Sequence, residues 1–126
     1  MGGLLDDPGR RDYLGYLKIK RDGSGFTQLT DTPDVNEFDP QWSKSGDKIT
    51  YNSYSLAAPR FVLNTMNPDG SGSQTIYDGI DTVSTPYFPP GAFDPSWSPD
   101  DEWIVFEKPV HYDGENGDAG VWHISR

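Results

Sequence analysis

Phe38-Asp39-Pro40-Gln41-Trp42-Ser43 and Phe93-Asp94-Pro95-Ser96-Trp97-Ser98 are one phrase written twice, 55 residues apart. Each is followed by a short polar stretch, Lys44-Ser45-Gly46-Asp47 in the first copy and Pro99-Asp100-Asp101-Glu102 in the second. Each then continues as an alternating run, Lys48-Ile49-Thr50-Tyr51 and Trp103-Ile104-Val105-Phe106. Such alternation is the mark of a strand, the second copy reading as the more buried. A second phrase also recurs: LKIKRDGSGFTQL from Leu17 resembles LNTMNPDGSGSQTI from Leu63, and the two DGSG turns, at Asp22-Gly23 and Asp69-Gly70, lie 47 residues apart. The two spacings differ because the second copy carries eight extra residues around VSTPYFPPGA. A third copy begins at Val121, where VWHISR matches the strand before DGSG.

Each unit reads as four strands. FDPQWS turns through KSGD and returns as KITYNS; a third strand, YLKIK or FVLNTM, turns at DGSG into a last one, FTQLT or SQTIY. The D-G dipeptides are expected to supply the positive-φ residues of two-residue hairpin turns. A period of about 40–50 residues holding four short strands is that of a β-propeller blade. The expected fold is therefore all-β, with blades of four antiparallel strands and about two blades in the chain. Residues 1–12 read as an N-terminal extension and 13–126 as a partial propeller: repeat one at 16–62, repeat two at 63–120, and the first strand of a third at 121–126.

The repeat resembles the TolB-type, WD-like propeller unit: a strand, an N-x-DGSG turn, a strand ending in LT, a DPxWSPDG segment and an I-x-F strand. Asn67-Pro68-Asp69-Gly70-Ser71-Gly72, Leu29-Thr30-Asp31 and Asp94-Pro95-Ser96-Trp97-Ser98-Pro99-Asp100 carry the pattern almost letter for letter, over nearly the whole chain. The first copy departs at Lys44-Ser45-Gly46, and the second has Asp101 where glycine is usual. The resemblance implies a scaffold that holds a protein or peptide partner, in a periplasmic or extracellular setting.

Composition narrows the function classes. Four Trp, seven Tyr and six Phe, with 14 Gly and 11 Pro, suit many short strands and tight turns rather than helices or disorder. Twenty acidic residues against ten basic ones give a net charge of -10, which a phosphate backbone or an anionic membrane would repel. Nucleic acid is thus an improbable partner, and the excess acid favours solubility and basic partners. Cysteine is absent, so no disulfide or thiolate metal site exists. No apolar run approaches the ~20 residues of a membrane span, and MGGLLDDPGRRD lacks the apolar centre of a signal peptide.

The motif residues read first as architecture. Trp42 and Trp97 are expected to pack between adjacent blades, and the carboxylates of Asp39 and Asp94 to accept backbone N–H bonds entering the innermost strand. A second reading has the two aspartates ligate a cation near the channel, although no further oxygen ligand is evident. No metal or other cofactor is expected. His123 alternates with Trp122 and Ile124 on a strand, whereas His111 lies in KPVHYDGENGDAG, read as a polar loop without calcium-loop spacing. No G-x-S-x-G, H-E-x-x-H or phosphate-loop motif occurs, and no catalytic residue is assigned. Binding specificity is expected in the least stereotyped loops: Tyr87 and Phe88 in Val83–Pro90, His111 and Tyr112, and Tyr54–Pro59. Alternatively Tyr87 and Phe88 fold back to cover a blade.

Two repeats cannot close a ring of four to eight blades. An open wedge with a wet face of roughly 500 Å² at each end would forgo about 12 kcal/mol per face at ~25 cal/mol/Å². Closure is expected either from missing sequence of a longer propeller or from identical chains, with a trimer of two-blade copies as the first expectation. Val121 and Leu17 begin equivalent strands and would compete for one place in such a ring. The favoured function is a non-enzymatic binding scaffold. The alternatives are a regulatory or catalytic propeller of a hydrolase or lyase, and a truncated fragment with no independent role.

Overall fold

The computed structural model describes residues 15–80, 90–112 and 117–125, with the backbone path alone beyond Lys108. Every described element is a β-strand, and every strand pair is antiparallel. A two-stranded ribbon pairs β1 (Leu17–Lys18) with β2 (Thr27–Gln28). A four-stranded meander follows: β3 (Val35–Trp42), β4 (Ile49–Ser55), β5 (Ala58–Met66) and β6 (Gln74–Tyr77). A three-stranded meander ends the chain: β7 (Phe93–Trp97), β8 (Trp103–Tyr112) and β9 (Gly117–Ser125). The molecule is all-β and builds propeller blades without closing them.

Repeat and sheet are out of phase. The four-stranded sheet starts at the FDPQW phrase of one repeat and finishes with the DGSG hairpin of the next, so Leu63 opens a sequence repeat in the middle of a sheet. The ribbon, turning at DGSG, matches the outer pair β5–β6 of the four-stranded sheet. VWHISR falls within β9, the third strand beside β8.

The DGSG turns are three-residue loops, not the two-residue turns expected. Lys20 and Ser24 form one closing pair, with the Lys20 N–H donating to Ser24 O at 2.8 Å and the Gly23 N–H to Lys20 O at 2.8 Å. Asn67, Gly70 and Ser71 repeat the arrangement. Only the glycines take positive φ there, at 88° for Gly23 and 87° for Gly70. Asp22 and Asp69 stay in ordinary turn conformation, and this is a type I turn closed by a glycine bulge. Each carboxylate instead accepts from a serine two residues on, Ser24 or Ser71, through both hydroxyl and N–H. The hydroxyl bond first, then the N–H, holds each carboxyl below its usual value.

Two other loops proved shorter than expected. Tyr54, Ser55, Ala58 and Pro59 belong to strands, and Leu56-Ala57 alone connects β4 to β5. His111 and Tyr112 are strand residues of β8, paired with Asp118 and Gly117, because the hairpin ladder resumes after a register shift between Pro109 and His111. A bulge is where a sheet tolerates proline, which has no N–H to donate. Tyr87 and Phe88 lie outside the described residues.

The sheets stack face to face through two small cores. Leu63, Ala92, Trp97, Ile104 and Phe106 form one, flanked by Ile76 and Tyr77. Tyr16, Ile49, Tyr51 and Met66 form the other, flanked by Leu29. Aligned on the repeat they correspond: Ile49 with Ile104, Tyr51 with Phe106, Tyr16 with Leu63, Leu29 with Ile76. Polar groups inside the four-stranded sheet are largely paired. Thr50 donates to Asn64 O at 2.9 Å, and Asn52 Nδ2 reaches across to Ala92 O at 2.7 Å.

Candidate functional site

The two repeated tryptophans have unlike surroundings. Trp97 is 5% exposed, and its indole N–H donates to Gln41 O of the neighbouring sheet at 3.3 Å. Trp42, at the same place in the repeat, is 51% exposed. The difference lies in what faces each: β7 packs against β3 and β4, whereas among the described strands none packs against β3 on the Trp42 side.

Beside Trp97, Asp101 clamps the two sheets. Its carboxylate accepts the N–H of Lys44 at 2.6 Å and of Ser45 at 2.8 Å, both in the β3–β4 turn of the other sheet. Burial alone would raise Asp101, but these N–H groups outweigh it and hold the carboxyl below its ordinary value. The backbone of Asp101 has φ 61°, matching the 79° of Gly46 at the equivalent turn position. Asp101 therefore preserves the glycine-type turn and adds a carboxylate. Sequence reading noted the substitution, but the use made of it depends on the neighbouring sheet.

Asp39 and Asp94 occupy matching bulges, between Phe38 and Gln41 in β3 and between Phe93 and Ser96 in β7. Both take positive φ, 54° and 49°, and both are exposed. The expected backbone N–H bonds to these carboxylates do not form: the bulge turns each out of its own ladder, and no described residue donates to either. Partial burial first, then the charge of Asp94, raises Asp39 above its usual value.

Next to these aspartates lies an aromatic group that sequence reading did not assemble. Phe61 on β5 is the hub, with ring centroids 5.6 Å from Phe38, 5.0 Å from Tyr54 and 4.8 Å from Phe93. All four side chains are half-buried. They come from both stacked sheets, so only the stacking brings them together. Their single visible signal was the phenylalanine preceding each Asp-Pro.

A third acidic residue, Glu37, is buried beneath the ribbon. Its carboxylate accepts from the hydroxyls of Thr30 and Thr32. Burial nevertheless dominates and raises its carboxyl. Burial also raises the Tyr16 hydroxyl strongly, with the charges of Glu37 and Asp39 adding to it. Among the described residues no group of three or more His, Asp or Glu is arranged to hold a metal ion.

Against known proteins, the fold is similar to a solved structure described as "putative TolB" from Agrobacterium tumefaciens, with a TM-score of 0.60 at 20% identity. The match covers 88% of this chain and 37% of that one. The chain thus spans little more than a third of that protein's length. At this identity the likeness establishes a TolB-like propeller fold. No protein-family model and no curated protein matches the chain.

Proposed function

We propose that the chain is a non-enzymatic binding scaffold that engages a protein or peptide partner through Phe38, Tyr54, Phe61 and Phe93 with the flanking carboxylates of Asp39 and Asp94. The observation that carries this reading is the contrast in how the repeated polar groups are used. Asp22, Asp69, Asp100 and Asp101 are each held by internal hydrogen bonds, while Asp39 and Asp94 receive none from a described residue. Half-buried aromatic rings beside free carboxylates suit a basic side chain, which gains from both the negative charge and the ring faces. The net charge of -10 would steer such a partner inward. Likeness to a TolB-like fold is compatible with this role and with an envelope or extracellular setting.

The test is titration with hexa-arginine and hexa-glutamate, followed calorimetrically. Hexa-arginine should bind, and Asp39→Asn with Asp94→Asn should weaken it by about tenfold or more, equivalent to about 1.4 kcal/mol. Tyr54→Leu should weaken it with the carboxylates intact. Affinity unchanged in the double variant would place binding elsewhere and refute this site.

A further inference from the structure

The exposed Trp42 face has a counterpart within the molecule that is covered, and that counterpart specifies what fits on it. Across the existing interface, Trp97 is covered by β3 and β4, the first two strands of a blade. On the Trp42 side, the described residues that share its pocket from outside the sheet belong to the β1–β2 ribbon, which matches the third and fourth strands. Between the ribbon and β3 this leaves an apolar hollow of about 310 Å³, lined by Tyr16, Leu17, Ile19, Leu29, Trp42 and Met66. Leu17, Ile19 and Trp42 are all exposed there.

We propose that the β7–β8 hairpin of a second copy of this chain docks on the Trp42 face, joining copies head to tail. Two features select this hairpin over the chain's other inner pair, β3–β4. The first is the clamp. Its acceptor position on the receiving sheet is Gly46, which has no carboxylate, and a Cβ built there meets nothing within 4 Å. In a second copy the β3–β4 turn is already engaged, its Lys44 and Ser45 N–H groups held by that copy's own Asp101. An incoming β7–β8 turn brings Pro99 in the place of Lys44, and proline has no N–H. The acceptor and one of the two donors of the clamp are thus absent together, and only the Asp100 N–H, in the place of Ser45, remains.

The second feature is charge. The β7–β8 turn carries Asp100 and Glu102, while Lys18 lines the hollow and Lys44 stands two residues beyond Trp42. Acidic turn and basic rim attract, which favours the copy's second blade. Trp42 would then donate its indole N–H to Ser96 O, the carbonyl standing where Gln41 O receives Trp97.

Docking requires one adjustment. The incoming β9 and the resident β1 claim the same third-strand position. β9 is held to β8 at nine paired positions and β1 to β2 at two, so the ribbon shifts outward and β9 takes the place. The contact uses different surfaces on its two sides and therefore propagates; with two blades per copy, three copies complete six.

The test is solution mass by light scattering at tens of micromolar, on the whole chain. The expected result is a multiple of 14.0 kDa that Trp42→Arg reduces to one chain with its far-ultraviolet circular dichroism unchanged. Because the chain has no cysteine, two single-cysteine variants, Gly46→Cys and Asp100→Cys, report the contact directly. Mixed and oxidised, they should form a cross-linked pair that Trp42→Arg in the Gly46→Cys partner abolishes. A wild-type monomer overturns the proposal, as does an oligomer whose mass is indifferent to Trp42→Arg. Hexa-arginine binding is read separately from mass, so either idea can fail alone.

Discussion

Asp101 shows how one changed residue in a repeat acquires a structural task. Its carboxyl is held below the ordinary aspartate value, so its stabilisation is present above that value and is lost as pH falls through the depressed one. Asp101→Asn, which tolerates positive φ, should lower Tm at pH 7, with wild type and variant converging as the pH falls below the ordinary aspartate value; thermal scans down the acid range check it. Trp97→Ala should cost about 3–5 kcal/mol in denaturant unfolding, since the indole fills the inter-sheet core. The influence of Asp94 on the Asp39 carboxyl is also measurable. Asp94→Asn should bring the Asp39 carboxyl down toward its ordinary value in an NMR titration, leaving the share caused by burial. The importance of Trp97 was legible from its phrase alone. The exposure of Trp42 was not, because one sequence motif does not state which neighbour stands opposite it.

The hairpin turns separate two costs that glycine usually combines. Gly23 and Gly70 share the same turn and nearly the same φ, but a Cβ on Gly23 meets nothing, whereas on Gly70 it drives into the backbone carbonyl of Leu29. Gly23→Ala should cost about 1–2 kcal/mol, the left-handed penalty alone. Gly70→Ala should cost more, because the ribbon must move as well; denaturant unfolding of both variants compares them. The presence of these turns was evident from DGSG. Their three-residue form was not, since the choice depends on which residues close the ladder, Lys20 with Ser24 and Asn67 with Ser71. The β8–β9 hairpin gives the same lesson at greater length: polar, glycine-rich sequence around His111 reads as loop, but backbone pairing carries the ladder to Tyr112 and Gly117.

At the scale of the molecule, stability is graded from centre to edge. β4 and β5 are paired on both sides and bury Ile49, Tyr51, Leu63 and Met66, while the ribbon rests on two paired positions. Amide hydrogen exchange should therefore be slowest in β4 and β5 and fastest at Leu17–Lys18 and Thr27–Gln28. The all-β, four-stranded architecture was readable because period, strand alternation and turn residues agree. The aromatic group around Phe61 was hidden because it is assembled from strands of both sheets. Asp101 pairs with the Lys44–Ser45 turn, whereas the matching positions hold glycine for the acceptor and proline for one of the two donors, so the two turns are unequal. Under the docking proposed above, otherwise similar blades would carry an address at their turns. Exchanging Gly46 and Asp101 would remove the clamp from the interface inside the chain and set a carboxylate on the Trp42 face, without altering a strand.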